Sequence, residues 1–229
     1  MEEDDISIAD VIASTIHDMK NSLNIQIESL ESLATQYQSK DNDSINKQIW
    51  KMIYEANRMN GNLIQILCLY KMGKSIYPIN ISEQSVKEMI SEVTSQYESI
   101  MHFKGIDLNI ECDENCYGYF DRDLVAGVLI NAINNAYNYT SDKIRIAAKL
   151  DGGFLEIRVE DNGKGYPESF FMGEVSANKG ISFTTGSTGL GFYFSSHVAS
   201  MHKNGDKRGT INIENGGTYG GGCFILRLP

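Results

Sequence analysis

Positive charge is scarce in this chain. Twenty Lys and Arg face thirty Asp and Glu, a formal net charge of −10 over 229 residues. No basic stripe interrupts the acidic balance, and this argues against a nucleic-acid surface, because phosphate backbones are bound through clustered cations. A nucleotide is not excluded, since backbone N–H groups and a metal ion suffice to hold one. Long apolar runs are also missing: none has the length of a bilayer-crossing helix. The opening Met1-Glu2-Glu3-Asp4-Asp5 is unlike a signal peptide, so a cytoplasmic chain without a membrane segment is expected. Cysteines number four, and Cys112 and Cys116 have no second pair or His cluster to complete a zinc site. Reduced thiols are expected.

What is present is enough apolar residue, 41%, for a folded core over most of a length that suits one large domain or two modest ones. Ile12, Ile16, Met19, Leu23, Gln26, Leu30, Leu33 and Tyr37 alternate spacings of four and three. Ile45, Ile49, Met52, Ala56, Met59, Leu63, Ile66 and Tyr70 do the same. Each set is a heptad seam on a helix, with a polar lapse at Gln26. Polar residues 39–44 separate the two helices, and Ser44 or Asp43 suits the cap of the second. Ile8, Val11, Ile27, Ile53, Ile64 and Leu67 widen both stripes beyond what a lone hairpin can cover. An antiparallel hairpin that pairs with a second copy into a four-helix bundle satisfies them, so a homodimer is expected.

His17 falls one residue past the seam position Ile16, off the buried line, with Asp18 beside it and Asn21 one turn on. A His on a helix flank is most often a surface residue. A nucleophilic imidazole, however, needs one nitrogen free and the other held as N–H against an acceptor, which Asp18 can supply. Asn21 can hold a water near a group on His17.

The stretch Lys71–Pro78 ends the heptads with a Gly and a Pro and reads as a hinge, dividing the chain into 1–75 and 76–229. Beyond it the pattern predicts a helix over about 83–101, strands near 106–111 and 117–120, and a helix over about 121–139. Two strands then flank Asp151-Gly152-Gly153, a helix runs over about 190–202, and strands near 209–214 and 223–228 close the chain. This order suggests a mixed sheet with helices on one face, an α/β sandwich.

Three segments of this second part carry chemistry. Asn131 and Asn135 are four apart on a helix, so their amides share a face and can meet one cation. Asp161-Asn162-Gly163-Lys164-Gly165 follows a strand, and Asp161 can accept a hydrogen bond from an exocyclic amine such as that of adenine. Gly186-Ser187-Thr188-Gly189-Leu190-Gly191 opens a helix whose N-terminus favours phosphate. Each is weak alone. The third matches neither the dinucleotide fingerprint nor a Walker A loop.

Together they are specific. The string His17-Asp18-Met19-Lys20-Asn21-Ser22-Leu23 resembles the phospho-acceptor box of the sensor histidine kinases. The three later segments resemble the N, G1 and G2 boxes of the ATP-binding fold those kinases share with gyrase, Hsp90-type and MutL-type ATPases. The resemblance covers essentially the whole chain. It implies a phosphorylated His17, Asp18 as base for autophosphorylation, and Asn21 serving phosphatase activity. It implies ATP with Mg²⁺ on Asn135 and Asn131, adenine read by Asp161, and Gly163 and Gly165 bordering the base. Gly186, Gly189 and Gly191 would sit by the phosphates, and Tyr139 would pack on adenine. Three positions depart from the pattern. Ser22 stands where many relatives have Pro. Asn138 replaces a phosphate-touching Lys or Arg, a charge that Lys179 is then expected to supply. The lid, Pro167–Thr185, is short and has adjacent Phe170-Phe171 instead of a spaced pair.

The expected reaction is attack of a His17 nitrogen on the γ-phosphorus of ATP, then transfer to an aspartate of a response-regulator receiver domain, with a separate sensor protein as a further partner. The competing readings are an ATPase or serine kinase of the same nucleotide fold, and a non-catalytic dimeric phosphorelay or regulator-binding module.

Overall fold

The computed structural model describes residues 8–36, 43–74, 77–168, 171 and 189–229. Two compact units make up the chain, Met1–Tyr77 and Pro78–Pro229.

The first unit is a helical hairpin of α1 (Ile8–Gln36) and α2 (Asp43–Gly73). Ile27 and Ala34 of α1 pack with Ile49, Ile53 and Ala56 of α2, flanked by Leu23, Leu30 and Trp50. Ala34 and Ile49 lie near the connection. Farther from it, Asn60 Nδ2 donates to Asn24 Oδ1 at 2.9 Å, so the helices run antiparallel. This packing uses only half of each heptad seam. Ile16, Ile49 and Ala56 are buried, whereas Met19 and Leu33 on α1 and Ile45, Met52, Met59 and Ile66 on α2 stay between 41% and 56% exposed. The exposed set recurs every seven residues, so it forms one continuous stripe along α2.

The second unit begins with strand β1 (Ser82–Ser85), helices α3 (Val86–Ser95) and α4 (Glu98–Lys104), and strands β2 (Asp107–Cys112) and β3 (Tyr117–Phe120). Helix α5 (Arg122–Tyr139), strands β4 (Lys143–Asp151) and β5 (Phe154–Asp161), and helix α6 (Leu190–Met201) follow. The chain closes with the short ribbon β6 (Lys203–Asn204) and β7 (Lys207–Arg208), then β8 (Thr210–Asn215) and β9 (Gly222–Leu228). Five strands form a mixed sheet in the order β2-β4-β5-β9-β8, with β2 and β4 parallel and the other neighbours antiparallel.

Alternation along the strands sends Ile144, Ile146, Leu155, Ile157, Val159, Phe224 and Leu226 to the side where α5 and α6 lie, and all are buried. Val128, Leu129 and Ala132 of α5 meet them. On the other face Arg145 bridges Glu111 and Glu160 across three strands, its Nη1 3.2 Å from Glu160 Oε1. The result is helices on a mixed sheet, the α/β layering expected from the order of elements.

One expected element is different. The stretch read as a single helix over 83–101 is a strand and two helices. Residues 82–85 pair antiparallel with β3, and Ser85 then caps α3 by accepting from Glu88 N–H at 3.3 Å. Between α3 and α4, Tyr97 is buried and its hydroxyl donates to Asn134 Oδ1 at 3.1 Å. Gly105, at φ 71°, stops α4. Pairing with β3 takes only residues 82–85, and the apolar period that starts at Val86 and runs through Ile90 and Val93 does form a helix, α3.

Candidate functional site

In the first unit His17 is exposed, as its place beyond the seam requires. Its Nδ1 lies 3.7 Å from Asp18 Oδ1 and 3.3 Å from Asn21 Nδ2. Both neighbours therefore address the same ring nitrogen, Asp18 as an acceptor when Nδ1 carries the proton and Asn21 as a donor when it does not. Ser22 Oγ donates to the Asp18 carbonyl at 3.0 Å, a bond within the helix that a proline side chain at this position could not make.

In the second unit, three parts of the chain converge at the end of β5. Asp161 is buried. Its Oδ1 accepts from Gly163 N–H at 2.7 Å and Gly222 N–H at 3.2 Å, which fixes the carboxylate. Gly163 has a tertiary reason to be glycine: a Cβ there would lie 2.0 Å from Tyr139 O, at the end of α5. Gly165, at φ 75°, passes against Asn215. The Asn215 amide accepts from Tyr166 N–H at 2.7 Å and donates to Tyr166 O at 2.8 Å. Burial, and then the Asp161 charge, raise the pKa of the Tyr166 hydroxyl, keeping it neutral.

Asn162 joins this turn to α5. Its Oδ1 accepts from Thr140 Oγ1 at 2.8 Å and from the N–H groups of Ser141, Asp142 and Lys143, each at 3.1 Å. Its Nδ2 donates to Asp142 Oδ1 at 2.7 Å. One side chain thereby ties the Asp161 turn to the end of the asparagine helix.

On α5, Asn131 Nδ2 donates to Gly191 O at 3.3 Å, linking the helix to the first turn of α6. A Cβ on Gly191 would come within 3.2 Å of the Asn131 amide carbon, so the glycine permits this approach. Asn135 and Tyr139 are exposed, while Asn134 is engaged with Tyr97. Gly189, at φ 63°, is the N-cap of α6. Lys104 Nζ donates to Tyr137 O and sits 4.0 Å from the Tyr137 ring centroid, neutralising carbonyls in the last turn of α5. Burial lowers the Lys104 pKa.

The structure thus brings Tyr139, Asp161 and Gly163 together at the end of α5, and Asn131 and Gly191 together two turns earlier on the same helix. Lys179, Gly186 and most of the lid fall outside the described residues. Sequence reading passed over Asn162, Asn215, Gly221 and Gly222. A Cβ on Gly221 would lie 2.5 Å from Asp161 O, and the run Gly220-Gly221-Gly222 was the visible signal of that crowding. The residues suit a magnesium nucleotide: a pinned carboxylate for an amine, an amide oxygen on Asn135 for a hard cation, and a glycine-capped helix start for phosphate.

Residues 120–229 match the family described as histidine kinase-, DNA gyrase B-, and HSP90-like ATPase. The sensor-like histidine kinase SenX3 of Mycobacterium tuberculosis is 26% identical over 231 residues, covering 96% of this chain and 53% of the relative. The sensor histidine kinase RcsC of Salmonella typhimurium is 24% identical over 229 residues, covering 95% of this chain and 23% of the relative. The chain spans about half the length of the first of these relatives. Among solved structures, the catalytic domain of histidine kinase ThkA aligns with a TM-score of 0.55 at 27% identity, over 66% of this chain and 95% of that one. The Acinetobacter baumannii histidine kinase AdeS shares the fold, with a TM-score of 0.59 at 17% identity over 89% of this chain and 96% of that one. Residues 120–229 are thus similar to the histidine kinase-, DNA gyrase B-, and HSP90-like ATPases, and nearly the whole chain is similar to part of the sensor histidine kinases.

Proposed function

We infer that this chain phosphorylates its own His17 from ATP and passes the phosphoryl group to an aspartate of a response-regulator receiver domain. The observation that carries the reading is an exposed imidazole, flanked at one nitrogen by Asp18 and Asn21, in the same chain as an ATPase-family domain with a fixed buried carboxylate.

In this reading Asp161 Oδ2 accepts from the adenine amino group, while Gly163 and Gly222 hold its partner oxygen. Tyr139 packs on the base, and the α6 N-terminus with Gly189 and Gly191 faces the phosphates. Lys179 of the lid and Gly186 just after it are proposed as further phosphate contacts. Asn135, with Asn131 behind it, holds Mg²⁺, which supplies charge neutralisation on the phosphates. His17 Nε2 attacks the γ-phosphorus; the N–P bond forms, the bond to the β-bridging oxygen breaks, and ADP leaves with that electron pair. Asp18 holds the Nδ1 proton, which keeps Nε2 nucleophilic. Asn21, in reach of the same ring, positions water for dephosphorylation of the receiver. A homodimer through the exposed stripe of the hairpin completes a four-helix bundle, and a separate sensor protein is the proposed source of input.

Incubation with γ-labelled ATP tests the reading. An acid-labile, base-stable label on the chain, lost in His17→Ala and passed to a receiver domain, is expected. Phosphate release from an unlabelled chain would point instead to an ATPase, and absence of ATP binding to a non-catalytic module.

A further inference from the structure

A second concave surface lies in the Pro78–Pro229 unit, and none of the residues assigned above to the nucleotide lines it. Along β4, Ile144, Ile146 and Ala148 face the helices and are buried. Leu150 continues the same row but is 63% exposed. The strand outruns its helical cover, and an apolar row runs on without a layer over it. Beside Leu150 a cavity of about 460 Å³ opens between Tyr117 and Tyr119 of β3, Ile81 before β1, Phe154 and the start of β6. Ile81, Tyr117, Tyr119 and Leu150 are the majority of the large apolar side chains exposed in the described part of this unit. Single exposed apolar residues are ordinary, but their collection around one concavity is not.

The groove is built and not merely left open. Gly118 lines it, and a Cβ there would lie 2.9 Å from Leu155 Cδ2, so β3 rests directly on the start of β5. His202 forms part of the wall as a fixed group. Its Nδ1 donates to Val198 O at 2.8 Å and its Nε2 accepts from Asp121 N–H at 3.0 Å.

The rim is cationic in a chain whose net charge is −10. The β6–β7 ribbon carries Lys203, Lys207 and Arg208 against the single acid Asp206, and Lys203 lines the groove. Lys207 Nζ and the Arg227 guanidinium each stand 5.0 Å from the Phe154 ring centroid. Nearby Asp151 is already within 3.8 Å of Lys149. Among the described residues no carboxylate pairs with Lys203, Lys207 or Arg208.

We propose that this groove docks an acidic segment of a partner protein, whose aromatic or aliphatic side chain enters between Tyr119, Leu150 and Phe154 while its carboxylates meet Lys203, Lys207 and Arg208. The volume falls in the range of about 300–1,000 Å³ of ordinary ligand pockets, enough for the anchoring side chains of a short peptide. Two-part recognition of this kind combines an apolar anchor with a polar rim, the arrangement of protein–protein hot spots. Because the nucleotide residues lie outside the groove, a partner held there leaves their cleft open.

The test uses the full chain and a set of fluorescent short peptides rich in Asp and Glu, each with a central Leu, Phe or Trp, beside counterparts with Lys in place of the acids. Members of the acidic set are expected to bind, more weakly at high salt. Leu150→Ser with Tyr119→Ser, both exposed positions, is expected to weaken binding by about tenfold or more at unchanged melting temperature. Lys203→Glu with Lys207→Glu is expected to abolish the preference for the acidic set. Failure of every acidic peptide to bind, equal binding of the Lys counterparts, or indifference to the Leu150 and Tyr119 changes would each overturn the proposal. Self-association of the chain that disappears with Leu150→Ser would assign the groove to a second copy and overturn it too. Nucleotide binding, measured in parallel, is expected to be unchanged by all four substitutions.

Discussion

Converting Met52 and Met59 to glutamate strikes the part of the hairpin that its own partner helix leaves uncovered. Both side chains are about half exposed, so each protomer has already gained roughly half of the 1.5–3 kcal/mol available from burying such a group. About 1 kcal/mol per methionine remains for association, and a symmetric dimer counts each residue twice. Losing four such contributions costs about 4 kcal/mol, close to a thousandfold in dissociation constant at 1.4 kcal/mol per factor of ten. The carboxylates add to this, because an unpaired charge in an apolar seam carries a desolvation penalty of several kcal/mol. Glutamate is a good helix former, so the helices are expected to persist. Sedimentation equilibrium over a range of concentrations should show a dimer for the native chain and a monomer for M52E/M59E, with circular dichroism confirming retained helix. A double variant that stays dimeric within tenfold of the native dissociation constant would show that the stripe is not the interface.

Two further outcomes follow from other contacts. Asn162→Ala removes the acceptor shared by Thr140, Ser141, Asp142 and Lys143. ATP binding by calorimetry should weaken by about tenfold or more as the Asp161 turn loosens from α5, since one lost hydrogen-bond partner costs about 1–3 kcal/mol; affinity within twofold of native would refute the clasp. Burial lowers the His202 pKa from the ordinary 6.5, outweighing the Val198 bond and the Asp121 charge, which raise it. The folded state favours the neutral ring, so its contribution is complete above the unfolded pKa and is lost as pH falls through the depressed folded value. Unfolding free energy should therefore drop on acidification from neutrality, with a shallower slope in His202→Gln; identical slopes would refute it.

Much of this was legible in the residues themselves. The acceptor box, the asparagine helix, the Asp161 turn and the glycine-capped helix are local patterns, and each depends on one-turn spacing or on a short loop. The division into a heptad part and a mixed α/β part could be read the same way, because helical and strand periods differ. The helix expected over 83–101 starts late for a non-local reason: residues 82–85 found a strand partner more than thirty residues away in β3. The clasp by Asn162, the need for glycine at 163 beneath Tyr139 O, and the bond from Asn131 to Gly191 were hidden likewise.

By itself, then, the sequence determined the periodicities, the chemical groups and their order, because these reside in the spacing of neighbours along one element. Only the tertiary structure decided which half of each heptad seam meets its partner helix, where Leu150 outruns the helical cover, and how Asp161 is held. Those outcomes rest on atoms brought together from distant parts of the chain, whose meeting no local spacing encodes.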